Sequence, residues 1–371
     1  MAGIYLHIPY CKQACIYCNF HFSTSLSNKV ALLQAMHKEI ELRSDYLNQE
    51  TISSIYFGGG TPSLLSISEI NNFLEQIRST QQVDPNAEIT FEVNPDDLHA
   101  VYLEQLKNAG VNRLSIGVQS FFDADMKYMH RAHSAAQSFE AIEQSIRAGF
   151  QNISIDLIYG IPDMTLETWN TNIQYALDYA ITHLSCYALT VEPRTQLHHL
   201  IAQGRAKAPN DQETISQFEF LINQATSTGY EHYEISNFAK AGYESKHNSS
   251  YWSGIPYLGI GPSAHSFRNH ERQWNVANNQ KYVELLSSKQ NYFEMEDLDH
   301  VKRYNEFILT RIRTSRGILS SEVPPEFYDH FIGQVKPFLD EGTVVFNGKA
   351  YILSLPGKFI ADKISMELFY G

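Results

Sequence analysis

The residues best suited to chemistry gather near the start of the chain. In HIPYCKQACIYCNFHF, residues 7–22, Cys11, Cys15 and Cys18 form a C-x3-C-x2-C run. Thiolates bind soft and borderline metals, and closely spaced ones can hold a single centre without help from a distant element. The one other cysteine, Cys186 in HLSCYAL, reads as a small core residue of a strand. Two centres compete for the run. A structural zinc takes four protein ligands, and His21 would complete a Cys3His set. A [4Fe-4S] cluster also needs four partners, and with three thiolates it keeps one iron open to an exogenous chelate. The tight spacing favours the cluster.

Further polar groups follow short β-rich runs. Gly58-Gly59-Gly60-Thr61-Pro62 comes after ISSIYF, Glu92 ends EITFEV, Gln119 follows RLSIGV, and Asp156 lies late in ISIDLI. Glycines let a backbone approach a ligand with its N–H and C=O groups uncovered. Taken singly, Glu92, Gln119 and Asp156 read equally well as caps of the helices that follow. In step with a cysteine loop after the first strand, they outline one binding rim.

That rim needs elements to build it. Strand-like runs at GIYLHI, 52–57, 88–93, 113–118, 153–158 and 183–189, and a weaker one at 231–235, alternate with helical patterns. Ser66-x-x-Glu69 opens a stripe of Ile70, Phe73, Leu74 and Ile77; Val101, Leu106 and Gly110 mark a second helix, and Phe139, Ile142, Ile146 and Gly149 a third. Repeated βα units predict a parallel sheet, whose reactive residues collect at the carboxyl ends of the strands. Six clear units predict an α/β fold with a partial (β/α)6 barrel over residues 1–240. Residues 241–296 read as a turn-rich, aromatic connecting segment. Residues 297–371 change texture: helical runs, a hairpin turning at Asn347-Gly348 and a last helix predict a small domain of winged-helix type.

Composition excludes several classes. With 41 acidic and 28 basic side chains the formal charge is −13, which gives no electrostatic footprint for nucleic acid. No window approaches the roughly 18 apolar residues of a membrane span, and the opening MAGIYLHIPY lacks the features of an export signal, so a cytoplasmic protein is expected.

CKQACIYC, with Tyr17 before its last cysteine, resembles the signature of the radical S-adenosylmethionine (SAM) enzymes, and GGGTP resembles their motif for the methionine amino group. That resemblance implies a [4Fe-4S] cluster on Cys11, Cys15 and Cys18 with SAM on the open iron. It also implies an electron donor to the cluster and homolytic cleavage of SAM to a 5'-deoxyadenosyl radical. Carried over position by position, Tyr5, Gly60, Thr61, Glu92, Gln119, Arg131 and Asp156 would contact SAM.

YLHIPYC, YFGGGTPS, FEVNPDD, LSIGVQSF, HRAH and IDLIYGIP further resemble the group that contains the oxygen-independent coproporphyrinogen III oxidases and the HemW-type haem chaperones. The oxidases carry another cysteine two places after the third, where this chain has Phe20, and an N-terminal extension ahead of the first strand. HNSSYW, residues 247–252, resembles the H-N-x-x-Y-W motif of the chaperones. The implied function is haem binding and transfer to a haem-accepting apo-protein. His247 is the candidate axial ligand, beside the flat apolar surface of Tyr251 and Trp252. On the residues alone, His247 reads more readily as a hydrogen-bonded loop residue with aromatics packing between domains, and the resemblance brings the axial-ligand reading level with it. The enzyme alternative is oxidative decarboxylation of coproporphyrinogen III, for which neither the fourth cysteine nor the extension is present. SAM cleavage is compatible with either branch.

Overall fold

The computed structural model describes all residues, 1–371. Six strands run in sequence through the first half: β1 (Ala2–Ile8), β2 (Ile52–Gly59), β3 (Val83–Val93), β4 (Arg113–Gln119), β5 (Asn152–Tyr159) and β6 (His183–Ala188). Each pairs in parallel with the next. The crossovers contain α1 (Lys29–Leu42), α2 (Ile67–Thr80), α3 (Ala100–Ala109), α4 (Asp123–Met129), α5 (Ala135–Arg147) and α6 (Leu166–Asp178).

The local signals behave as their chemistry requires. Ser66 and Glu69 close a reciprocal capping box at the start of α2, whose Ile70, Phe73, Leu74 and Ile77 are buried. Gly110 ends α3 at φ 101°, a left-handed position that glycine adopts without a Cβ penalty. Cys186 is buried in the core.

The expected weak seventh unit is different in kind. After α7 (Gln196–Ala202) and α8 (Asp211–Ser227) come two short strands, β7 (Glu231–Glu234) and β8 (Asn237–Ala239). They form an antiparallel pair, and β8 lies antiparallel to β6, so the parallel run stops and the barrel stays open. Too few residues separate β7 from β8 for a parallel crossover.

Residues 241–296 do more than connect. They contain α9 (Lys246–Ser253), β9 (Tyr257–Ile260), β10 (His265–Arg268), β11 (Glu271–Asn275), α10 (Asn279–Ser287) and β12 (Phe293–Asp297). Strand β9 returns to pair in parallel with β1, on the side away from β2, and β10 to β12 extend the sheet as an antiparallel meander. The result is one 12-stranded sheet ordered β12-β11-β10-β9-β1-β2-β3-β4-β5-β6-β8-β7.

The last stretch has its own core of 15 buried residues, beside the 65 of the main body. It comprises α11 (His300–Arg311), β13 (Ile318–Leu319), α12 (Tyr328–Asp340), β14 (Val344–Phe346), β15 (Ala350–Leu353), α13 (Leu355–Phe359) and α14 (Ala361–Glu367). The hairpin turns at Gly348, φ 88°, and β13 completes a three-stranded sheet. No helix of the chain is long and apolar enough to cross a membrane.

Candidate functional site

Side chains alternate along a strand, so the odd-numbered residues of β4 (Arg113, Ser115, Gly117, Gln119) share a face with Asp156 of β5 and Glu92 of β3. All of them line one cavity of about 400 Å³ that runs through the open barrel. That volume is within the roughly 300–1,000 Å³ common for small-molecule sites. Cys11, Cys15, Cys18, Gly60, Thr61 and Arg131 line it too, so nine of the expected cluster and SAM residues converge on one space.

The cysteine loop is held from several sides. The GGGTP backbone extends the β1 ladder: Gly60 N donates to Ile8 O (2.8 Å) and Thr61 N to Tyr10 O (2.6 Å). A Cβ on Gly60 would stand 2.6 Å from Tyr10 O, and Gly59 has φ 106°. These glycines therefore permit close approach to the protein's own cysteine loop as well as to the cavity. His130 Nδ1 donates to Ala14 O (3.0 Å) and Gln13 Nε2 donates to His130 O (2.8 Å). Lys12 pairs with Asp96 (2.8 Å) and Asp97.

Sequence reasoning passed over Asn94, which ties the rim together. Its Nδ2 donates to Thr61 Oγ1 (3.1 Å) while its Oδ1 accepts from Arg131 Nη2 (2.8 Å). Arg131 also donates to Gly117 O (3.0 Å) and Cys15 Sγ (3.4 Å), and its Nε is buried without a partner. Only the Asn-Pro step in FEVNPDD marked that position as special. Gln119 sits at φ 66°, a strained conformation that turns the chain out of β4 at the rim.

The electrostatics follow from burial. Glu92 accepts from Tyr56 Oη (2.7 Å) and Gly59 N (3.1 Å), and burial raises its carboxyl above the ordinary range. Asp156 is pushed up to about 7, first by burial and then by Glu92, although Ser115 Oγ donates to it at 3.1 Å. Burial likewise raises the Cys11 thiol and pushes Cys18 up to about 11. A cationic centre would reverse that trend and take the thiols as thiolates.

The donor set fits an iron–sulfur cluster better than zinc. All three rim thiols are free. His21 does not line the cavity: its Nε2 is 2.7 Å from Asn279 Oδ1 and its ring lies against His7 at 6.3 Å. No three His, Cys, Asp or Glu side chains converge on a point that one metal ion could occupy. Three soft donors beside the unpartnered Arg131 Nε match a cluster with one open iron and a carboxylate-bearing chelate.

Two expected residues stand elsewhere. Tyr5 is outside the cavity lining; its ring stands 5.9 Å from Tyr56 and 6.1 Å from His247, and its hydroxyl is 3.1 Å from His7 Nδ1. His247, expected as an accessible haem ligand, is buried at 1% exposure. Helix α9, which carries it, closes the amino-terminal end of the barrel, opposite the cysteines. His247 Nδ1 is 2.9 Å from Ser54 Oγ and Nε2 is 2.8 Å from Tyr251 Oη, so neither ring nitrogen is free, and burial lowers its pKa to about 3. Of the motif, Asn248 alone reaches the cavity.

Helix α9 is clamped at both ends. At its start Glu88 accepts from Lys246 N (3.1 Å) and His247 N (3.2 Å), where an anion suits the helix dipole. At its end Arg311 of α11 donates to Trp252 O (3.0 Å) and Ser253 O (3.3 Å).

Similarity to known proteins agrees with this site. The family model of the radical SAM superfamily matches residues 5–176. The chain is 32% identical over 371 residues to the heme chaperone HemW of Bacillus subtilis (strain 168), covering 98% of each chain. It is 29% identical over 371 residues to the heme chaperone HemW of Mycobacterium tuberculosis (strain CDC 1551 / Oshkosh), covering 99% of this chain and 94% of that one. Among solved structures, coproporphyrinogen III oxidase (HemN) from Escherichia coli, a radical SAM enzyme, superposes with a TM-score of 0.85 at 22% identity. It covers 99% of this chain and 90% of that one, a likeness of fold. Through its full-length similarity to the Bacillus protein, the chain belongs to the HemW heme chaperone family, within the radical SAM superfamily.

Proposed function

We propose that this chain is a haem chaperone, which binds haem and passes it to a haem-free acceptor protein. The observation that carries the reading is 32% identity to a heme chaperone HemW over 98% of each chain. Cys11, Cys15 and Cys18 would hold a [4Fe-4S] cluster, and Gly60, Thr61, Glu92, Gln119, Arg131 and Asp156 would hold SAM beside it. When bound, the pair supplies one-electron chemistry, fed by an electron donor. The chain's own part is placement: Asn94 orients Arg131 and Thr61 together, Glu92 and Asp156 present acceptors to hydroxyl and amino groups, and the closed floor keeps bulk water out. The protein works in the cytoplasm.

Axial ligation by His247 carries a conformational condition. Its Nε2 must first leave Tyr251, or its Nδ1 leave Ser54, so α9 has to shift from the barrel floor before the imidazole reaches iron.

Anaerobically reconstituted protein, titrated with haem and then mixed with apomyoglobin, tests the function. Stoichiometric haem uptake followed by growth of the myoglobin spectrum is expected. Turnover of coproporphyrinogen III to protoporphyrinogen with SAM, without haem binding, would overturn it.

A further inference from the structure

Arg113 is a buried cation that the site described so far does not use. It is the first residue of β4 and is 1% exposed. It stands two residues, about 7 Å along the strand, below Ser115, the register partner of Glu92, toward the amino-terminal end of β4. There it lines the deep end of the cavity. Its Nε is buried without a hydrogen-bond partner, and its nearest counter-charges, Glu92 and Asp156, act on it through space with no hydrogen bond between them. Arg131, by contrast, holds three partners at the rim. A buried guanidinium with an N–H donor left unmet is costly, so that donor calls for an acceptor from a ligand.

The surroundings say which kind. The carboxylates nearest along the cavity are already engaged, Glu92 by Tyr56 and Gly59, and Asp156 by Ser115. The remaining walls offer small hydroxyls, Ser154 and Ser185, and a neutral imidazole, His183, whose nitrogens are held by Ser154 (2.8 Å) and Tyr233 (2.7 Å). A planar fork of N–H donors in a narrow, hydroxyl-lined end matches a carboxylate, which it can take with two parallel hydrogen bonds. Asn248 faces the same end, so the space lies directly against the helix that carries HNSSYW.

We propose that the floor of the barrel is a carboxylate subsite, in which Arg113 receives a propionate side chain of a bound tetrapyrrole. The tetrapyrrole source rests on the haem-chaperone reading; a free small carboxylate is the other source of the same chemistry.

The test uses full-length, cluster-reconstituted protein, titrated by absorbance with haem and with haem dimethyl ester, whose propionates carry no charge. Wild type is expected to bind haem roughly tenfold or more tighter than the ester, the scale of a charge-assisted hydrogen bond. Arg113→Gln should bring the two ligands level, and Arg113→Lys should restore part of the difference. The wild-type comparison needs no variant, so it stands even if Arg113→Gln folds poorly. Equal affinity of wild type for haem and ester overturns the proposal while leaving haem binding intact. Failure of wild type to bind either ligand refutes the chaperone reading and the tetrapyrrole source with it. A third arm heats wild type and Arg113→Lys in millimolar sodium propionate against sodium chloride. Stabilisation by propionate, combined with equal haem and ester binding, assigns the floor to a free carboxylate and overturns the tetrapyrrole source.

Discussion

Ser54 Oγ and His247 Nδ1 lie 2.9 Å apart, although 193 residues separate them in the chain. The contact joins the start of β2 to the first turn of α9, and Gly3 of β1 makes room for it: a Cβ there would stand 3.1 Å from His247 Nδ1. Replacing His247 by Gln should cost roughly 1–3 kcal/mol at neutral pH, since a buried partner is left unsatisfied. Urea unfolding of the cluster-free protein measures it. A double-mutant cycle with Ser54→Ala should give a coupling of at least about 0.5 kcal/mol; strict additivity would mean that the two side chains do not meet.

The same imidazole confers a pH dependence. Burial lowers His247 to about 3, whereas the unfolded chain takes up that proton near the ordinary 6.5. Its contribution is therefore complete above about pH 6.5 and is lost as pH falls toward 3. Other buried groups titrate too, so the informative quantity is the difference between wild type and His247→Gln. That gap should narrow by about 1.4 kcal/mol for each pH unit below about 6.5. A gap that stays constant from pH 7 to 5 would place the ring in solvent.

Loosening either clamp on α9 should expose the motif. Arg311→Ala removes the donors to Trp252 O and Ser253 O, and Glu88→Gln weakens the acceptor at the other end. Each change should cost about 1 kcal/mol of local stability. Hydrogen exchange of the α9 amides should quicken while β1 to β6 stay protected, and haem should associate faster. Faster exchange with unchanged haem kinetics would show that His247 is not the group haem awaits.

Replacing Cys11, Cys15 and Cys18 by Ala should abolish iron and acid-labile sulfide in anaerobic preparations. His21→Ala should leave both unchanged, because that ring is occupied with Asn279 and lies outside the cavity. Iron, sulfide and zinc analysis of the two variants decides between the centres; loss of bound zinc on removing His21 would restore the Cys3His reading.

Gly60→Ala should separate the GGGTP loop from the cysteine loop, since its Cβ would press on Tyr10 O and Ile8 O. A penalty of about 1–3 kcal/mol is expected for that overpacking. Weaker SAM binding should accompany it, read as a smaller SAM-induced change in the paramagnetic resonance signal of the reduced cluster.

Much of this architecture was legible because its signals are local. The six parallel strands, the capping box at Ser66 and the turn at Gly348 each depend on residues a few places apart, and all stand where periodicity and turn chemistry put them. The rim was legible for a related reason: βα units deliver the ends of their strands to one side whatever the loops contain. What stayed hidden depends on long-range closure. Nothing in KHNSSYWS announces that Glu88, 159 residues earlier, will cap it, or that β9 will return to β1 and carry the helix under the barrel. HNSSYW therefore read as a loop, with His247 either hydrogen-bonded within it or free to ligate. Asn94 and Arg113 were missed because each owes its role to partners, or to the lack of them, on other strands.

The hold of Arg311 on α9 ties two separate hydrophobic cores to eight residues. Partial melting of the smaller core would release the far end of that helix while the 12-stranded sheet remained folded. The C-terminal unit would then act as a latch with its own melting curve, and the temperature or partner that loosens it would set how often the base of the barrel comes ajar.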